Sequence, residues 1–174
     1  MQNSEITFDN IAKDIIYTKK FNDLKKEKHH GLTRYNHVLR VSKFTYKITK
    51  FLKMDYVSAT RAALLHDYYT SEDLKEISEP KKLKEHPNIA CINALSDFNL
   101  NKKEENAIKS HMFPLGKEIP KYKESWVLTG VDKGVATYEM TKFKLKSLNA
   151  FVQAILGCSF NFFGSDISFK SSLV

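Results

Sequence analysis

Along most of the chain, apolar residues recur three or four positions apart, which is the spacing of one face of an α-helix. No sustained alternation of apolar and polar residues, the pattern of half-buried strands, occurs before the C-terminal tail. Only 6 of the 174 residues are glycine and 4 are proline, which argues against a sandwich or barrel with many tight turns. The pattern therefore predicts an all-α fold, a bundle of about six or seven helices in a single domain.

Turn and capping residues divide this pattern into helices. The first helix is expected over residues 8–28, with Gly31 as its C-terminal stop. Thr33 is expected to cap the second helix, because a threonine hydroxyl can accept a hydrogen bond from the free amides of a helix N-terminus. The inner face of this second helix is predicted to comprise Val41, Phe44, Ile48 and Phe51.

The middle of the chain is predicted to contain a short helix, a connection and two further helices. A helix of small apolar residues ends at His66, and the polar, charged residues 70–85 are typical of a surface connection. Pro87 is expected at the first position of the next helix, where its missing N–H costs nothing. Asn101 is expected to cap the helix after that, together with Glu104 three residues later.

The C-terminal part, residues 141–174, is predicted to follow a long helix. This helix is expected from about Tyr122 to Met140, and a further amphipathic stretch reaches Leu156. The tail that follows has no clear period, and it is left unassigned.

Charge narrows the classes of partner. The net charge is +8, from 28 basic and 20 acidic residues, but Arg34, Arg40 and Arg61 are the only arginines. Modules that recognise nucleic-acid sequence depend on arginine for bidentate contacts, whereas scattered lysines give a diffuse attraction for anions. A small phosphorylated substrate therefore fits the charge at least as well as a nucleic-acid duplex, and the lysine runs are typical of solvated helix faces.

The chain is expected to be a soluble, cytoplasmic protein that does not associate with a membrane. No stretch approaches the roughly 18 consecutive apolar residues of a membrane span. The first residues lack the basic and apolar regions of a secretory signal, and Cys91 and Cys158 do not form a disulfide framework. An oligomer is compatible with the apolar tail.

The histidines are the strongest chemical signal. Three of the six, His37, His66 and His111, lie three or four residues from apolar residues of their own helices and are expected to point inward. Asp132 is placed inward by the same spacing, and a buried carboxylate is costly without a compensating cation. A single inward histidine is more often a hydrogen-bonded core residue. The cluster instead favours a site for a divalent ion such as Zn, Fe or Mn, built from facing helices of a bundle.

Three ordered segments resemble a known signature. RYNHVLRV from Arg34, RAALLHD from Arg61 and VDK around Asp132 resemble the H…HD…D motif of the HD superfamily of metal-dependent phosphohydrolases. The resemblance implies an HD-domain-like helical bundle.

Two further segments resemble a bacterial subgroup of small, single-domain HD proteins. These are HPNIACINALSDFNL from His86 and IKSHMFPL from Ile108. The resemblance covers about residues 29–140, which would be the motif-bearing core of one HD domain over residues 1–174.

The resemblance also implies the ligands of one or two divalent transition-metal ions, with Fe, Mn, Co and Zn equally suitable. The first ion would be held by His37, His66, Asp67 and Asp132. His86 and His111 would complete a second site, with Asp67 reaching both ions. For His86, a solvent-facing position just ahead of a helix is an equal alternative.

The activity implied is hydrolysis of a phosphate ester of a small molecule, a nucleotide or dinucleotide, by metal-activated water. Such hydrolysis requires charge neutralisation on the phosphoryl group and a hydroxide at neutral pH, and metal ions supply both. Asp67 would act at the metals, and Lys133, Arg34 and Arg61 are candidates to hold the phosphate. Both arginines could instead form structural ion pairs.

The runner-up function is a noncatalytic HD-fold module that binds metal and a phosphorylated ligand. The third hypothesis is an RNA-interacting protein. Its only support is the lysine runs, and that support is weak.

Overall fold

The computed structural model describes residues 6–29 and 31–156, and within them the chain forms seven α-helices, one 3-10 helix and a two-stranded antiparallel hairpin. The all-α prediction is therefore confirmed. The predicted tail beyond Leu156 lies outside the described residues. The helices are α1 (Phe8–Ile16), α2 (Lys19–Asp23), α3 (Arg34–Phe51), α4 (Tyr56–Leu65), α5 (Glu79–Asp97), α6 (Lys102–Ser110) and α7 (Lys123–Leu156); the strands are β1 (Lys28–His29) and β2 (Leu32–Thr33), and the 3-10 helix is Glu72–Leu74.

The prediction of one N-terminal helix over 8–28 is wrong, because Thr18 divides it. Its hydroxyl donates to the carbonyl of Ile15 (2.9 Å) and accepts from the amide of Phe21 (3.2 Å), so it ends α1 and caps α2. Gly31 is not a helix stop but part of the turn of the β1–β2 hairpin, with φ +82°. A Cβ there would also collide with the ring of Phe143, so this turn requires glycine.

Helix α3 begins where expected but buries a different face. Thr33 Oγ1 accepts from the amide of Asn36 (3.3 Å), which confirms the predicted cap. Val41 is buried, but the prediction for the other three inner residues is wrong, since Phe44, Ile48 and Phe51 are 49%, 37% and 84% exposed. The buried residues of α3 are Arg34, His37, Val38, Val41, Ser42, Thr45 and Thr49.

Serine and threonine residues occupy the buried face of α3, where large apolar residues were expected, because their hydroxyls can bond to the helix itself. Ser42 Oγ donates to the carbonyl of Leu39 (3.0 Å), and Thr49 Oγ1 donates to the carbonyl of Thr45 (2.7 Å). Bonded to their own helix, these small side chains are satisfied in the interior and allow close packing against the alanine-rich α4.

Helix α4 is the centre of the bundle, in contact with α1, α3, α5, α6 and α7. Its C-terminal end agrees with the sequence, because His66 is the C-cap, and at its start Asp55 Oδ1 accepts from the amide of Ser58 (3.1 Å). Helix α6 begins with the predicted capping box of Asn101 and Glu104. The starts of α4 and α6 are therefore determined by hydrogen bonds between residues close together in the chain.

Two other boundaries differ from the sequence prediction. Helix α5 begins at Glu79, so the expected surface connection over 70–85 is shorter and Pro87 lies inside the helix instead of opening it. Pro80 takes the N-terminal position that was expected for Pro87. The predicted long helix and the following amphipathic stretch join into the single helix α7, of 34 residues.

Among the described residues, no helix combines the length and the apolar character that crossing a membrane requires.

Candidate metal centre

The six residues expected to bind metal converge on one buried place in the bundle. None of them is more than 7% exposed. They come from five helices, because His66 and Asp67 follow the end of α4 and His111 follows the end of α6. The six are His37, His66, Asp67, His86, His111 and Asp132.

The first part of the cluster joins α3, α4 and α7. Asp132 Oδ1 lies 3.0 Å from His37 Nε2 and 3.5 Å from His66 Nε2. His66 Nε2 is buried and has no hydrogen-bond partner of normal geometry among the described residues. The potential ligand atoms of His37, His66 and Asp132 all lie within 4.8 Å of one another, so this triplet could hold a metal ion.

The second part is centred on Asp67. Its Oδ1 lies 3.5 Å from His86 Nε2 and 3.7 Å from His111 Nε2, and its Oδ2 lies 4.0 Å from His66 Nε2. The ligand atoms of His66, Asp67 and His111 form a second group that could hold a metal ion. His86 is buried beside this group, so its solvent-facing alternative does not apply.

All four histidines are oriented in the same way. His66 and His111, each at the C-cap of its helix, place Nδ1 2.7 Å from the carbonyl three residues earlier. His86 places Nδ1 3.2 Å from the carbonyl of Lys82, and His37 places Nδ1 2.8 Å from Glu139 Oε2. Carbonyl and carboxylate oxygens only accept, so each Nδ1 carries a proton, and each ring in its neutral form would present the lone pair of Nε2 to the cluster.

In the triplet of His37, His66 and Asp132, the histidine and aspartate side chains shift each other's pKa. Burial lowers the pKa of His37, but its hydrogen bonds to Asp132 and Glu139 outweigh this effect and raise the pKa to about 9. Burial raises the pKa of Asp132, but the hydrogen bond from His37 and the adjacent ring of His66 hold the pKa of its carboxyl well below the usual value. The carboxylates therefore require positive charge, which either imidazolium protons or a divalent ion can supply.

The other two histidines favour the neutral form. Burial, together with the charge of His66, lowers the pKa of His111 to about 3 and also lowers the pKa of His86. Both rings are thus suited to ligate a metal ion through Nε2.

Glu139 belongs to the site although the sequence analysis did not select it. Its side chain is fully buried and accepts from His37 Nδ1 and from the guanidinium of Arg40. A carboxylate on the outer nitrogen of a histidine ligand fixes the ring orientation and raises its basicity. Glu139 lies seven residues after Asp132, which is two turns along the same helix face, and this spacing is the signal that could have found it.

Two of the three proposed phosphate contacts lie beside the cluster. Lys133 Nζ donates to the carbonyl of His111 (2.9 Å). Arg34 is buried, stacks on the ring of Tyr69 at 3.9 Å, and places Nε 3.9 Å from Asp67 Oδ2. Each therefore adds positive charge next to a candidate ligand.

Arg61 is not brought to the cluster. Its Nε donates to Glu104 Oε1 (3.0 Å) and its Nη1 donates to Asp14 Oδ2 (2.7 Å). The guanidinium therefore links α1, α4 and α6, which is the structural ion pair that the sequence left open as an alternative.

Comparison of the chain with protein-family models, with curated proteins and with solved structures gave no significant match. Support for a metal centre therefore comes from the geometry of these buried histidine and aspartate side chains.

Proposed function

We propose that the protein is a metal-dependent phosphohydrolase of the HD superfamily, acting on a phosphate ester of a small molecule such as a nucleotide or dinucleotide. One observation carries the proposal: residues in the order H…HD…D, with two more histidines between, converge in a buried cluster with every imidazole Nε2 turned inward. The motif order alone would be a weak indication, and the common orientation of the four rings strengthens it.

The donor set fits divalent transition metals. Ligand atoms about 2.0–2.2 Å from one ion lie roughly 3–3.5 Å from one another. The imidazole–carboxylate distances within the cluster, from 3.0 Å between His37 Nε2 and Asp132 Oδ1 to 4.0 Å between His66 Nε2 and Asp67 Oδ2, are close to this range. Imidazole and carboxylate together suit Fe, Mn, Co or Zn.

Two ions would divide the ligands between the two ends of the cluster. His37, His66, Asp67 and Asp132 would hold one, and Asp67, His86 and His111 the other. Asp67 can serve both because its two oxygens face different histidines.

When bound, such ions neutralise charge on a phosphoryl group and lower the pKa of water towards 7. The chain contributes the positions of the other groups. Lys133 uses one of its three N–H donors on the carbonyl of His111, so two remain for nonbridging phosphoryl oxygens. Arg34 is held by Tyr69 and lies 3.6 Å from Glu27, so its main effect is to add positive charge beside the Asp67 carboxylate.

The direct test combines metal analysis with turnover. Elemental mass spectrometry of chelator-free protein should find one or two transition-metal ions per chain, and far less in the His66→Ala/Asp67→Ala variant. Metal-loaded protein should hydrolyse at least one substrate from a panel of p-nitrophenyl phosphate, its bis ester, nucleoside monophosphates and dinucleoside polyphosphates. Circular dichroism of the variant controls for loss of fold.

The outcomes separate the alternatives. Bound metal without turnover of any phosphate ester would favour a noncatalytic module that holds a phosphorylated ligand. Absence of metal after reconstitution with Mn, Fe, Co and Zn would overturn the proposed centre.

A further inference from the structure

Helix α7 extends well beyond the bundle. Its 34 residues span about 51 Å at 1.5 Å per residue. Glu139 is the last residue buried against the bundle, and every residue from Met140 to Phe151 is exposed. We refer to residues 140–156 as the α7 arm.

The arm carries large apolar side chains. Phe143 packs on the turn at Gly31, but it is still 51% exposed, and Leu145, Leu148 and Phe151 are 58–62% exposed. A helix without packing partners is only marginally stable in water, because most helix stability in proteins comes from an apolar face that is covered. The arm therefore needs a partner surface.

The exposed apolar residues of the arm continue a stripe that begins on the bundle. Small and apolar residues follow one another at alternating spacings of four and three, which is the spacing of a helix–helix seam. They are Val127, Val131, Gly134, Tyr138, Thr141, Leu145 and Leu148.

Helix α3 widens this stripe into a larger surface. Phe44 and Ile48 are exposed, and they share a helix face with Arg40 at intervals of four residues. The guanidinium of Arg40 lies 5.9 Å from the ring centre of Tyr138, so the apolar face of α3 adjoins the stripe on α7.

We propose that this surface binds the same surface of a second copy of the chain, with the two α7 helices antiparallel and crossing between Tyr138 and Thr141. In this register Leu145 of each copy lies against Gly134 of the other. A Cβ at Gly134 would meet no atom within 4 Å, so the helix offers a shallow notch for a large side chain. Small residues facing large ones allow close packing of two helices.

Charge favours the antiparallel arrangement over the parallel one. Lys142, Lys144 and Lys146 lie within a short segment of the arm. In a parallel pair each lysine would lie level with its own counterpart, whereas the antiparallel register staggers them along the axis. Like charges that are further apart repel less.

The area agrees with a specific dimer. Six large side chains are exposed by 37–84%. Because an aromatic side chain presents about 150–250 Å² and an aliphatic one less, covering the exposed fractions would remove on the order of 600 Å² per copy from water, below the roughly 800 Å² per partner of a standard interface but at the lower end of its range. The six are Phe44, Ile48, Phe51, Tyr138, Leu145 and Leu148.

The first test is the mass of the full chain in solution by sedimentation velocity and light scattering. The expected mass is twice the 20.1 kDa of one chain. Leu145→Lys should give a monomer with an unchanged bundle by circular dichroism, because Leu145 lies outside the core. Ser147→Lys is the matched control: it adds the same charge to the arm, about 200° around the helix from Leu145, and should remain a dimer.

Two results would overturn the proposal. If the wild-type chain is monomeric at high protein concentration, a second copy does not cover this face, and residues 157–174 of the same chain become the alternative partner. A Leu145→Lys chain that dimerises as strongly as wild type would place the contact elsewhere. Neither result depends on metal or activity, so the proposed function is tested separately.

Disulfide trapping tests the register, in chains carrying Cys158→Ser. Gly134→Cys/Leu145→Cys should form an interchain disulfide, and its two sulfurs cannot pair within one chain because eleven residues of helix separate them by about 16 Å. Leu145→Cys alone should not cross-link. Cross-linking of that single variant, or none in the double variant, would contradict the antiparallel pairing.

Discussion

His86 Nε2 lies 3.0 Å from His111 Nε2, while the Nδ1 of each ring is directed at a backbone carbonyl. When both rings are neutral, each Nε2 carries a lone pair, and two lone pairs at this distance repel each other. A cation bound by both nitrogens removes the repulsion. This contact is therefore costly in the metal-free protein when both rings are neutral and protonated at Nδ1, and it is favourable with a metal ion.

The first prediction follows from this pair. His86→Ala should lower the metal content from near two ions per chain to near one, because the site at His37, His66 and Asp132 keeps its ligands. It should also reduce the rise in melting temperature on adding metal, since an ion at 100 times its dissociation constant stabilises by about 2.7 kcal/mol per site. Elemental mass spectrometry and thermal melts with and without metal check both statements.

For this variant the metal-free protein is the internal control. Removing one of two mutually repelling nitrogens offsets part of the cost of the cavity left by the buried ring, so its melting temperature should fall only slightly. A large loss of stability without metal would instead mean that His86 is a structural residue of the core.

Glu139→Gln is expected to weaken metal binding about 10- to 100-fold, the usual cost of losing a partner of a histidine ligand. The amide keeps the size of the side chain but loses the charge that holds His37 Nδ1 and Arg40. Chelator competition measures the affinity. Glu105→Gln is the matched control, because Glu105 pairs with Lys109 on the surface of α6 and should bind metal as wild type does.

Arg61→Ala is expected to destabilise the fold by about 2–3 kcal/mol, because the carboxylate of Glu104 would remain buried without its cation. Metal content and KM should not change, since Arg61 contacts Asp14 and Glu104 and not the cluster. Urea unfolding measures the loss. Lys26→Ala, which breaks an exposed pair with Asp23, should leave the free energy of unfolding nearly unchanged.

Lys133→Met is expected to impair use of a phosphate ester while the metal stays bound. The ammonium lies beside His111 but is not among the candidate ligands, so its removal takes away charge from the phosphoryl group alone. We expect a fall in kcat/KM of about 10- to 100-fold, which corresponds to roughly 1.4–2.7 kcal/mol. Lys133→Arg should recover part of it. Equal activity of wild type and Lys133→Met would exclude this residue from the substrate site.

Most of the helices and four of the six candidate ligands could be predicted from the pattern of the sequence, whereas Asp67 and His86 were selected through the resemblance to the HD signature. Helix ends depend on local hydrogen bonds, so Thr33 and Asn101 identify two starts by themselves. The inward position of His37, His66, His111 and Asp132 follows from their spacing to apolar neighbours on the same helix, which is also local information.

Other features depend on neighbouring elements and were predicted wrongly or missed. Which face of α3 is buried depends on the small residues of α4 against it, so Thr45 and Thr49 lie inside while Phe44 and Phe51 lie outside. The break at Thr18 interrupts a periodicity that looks continuous.

The partners of charged residues also depend on tertiary packing and not on local sequence. Arg34 and Arg61 occupy similar positions relative to the motifs in the sequence, yet one stacks on Tyr69 beside Asp67 and the other pairs with Glu104. Their partners lie 35 and 43 residues away. The sequence by itself determined the helical class and the residue types that could bind metal, because both depend on spacings within one helix. Only the tertiary structure decided which helix faces meet and which charges pair, because these depend on packing between segments far apart in the chain.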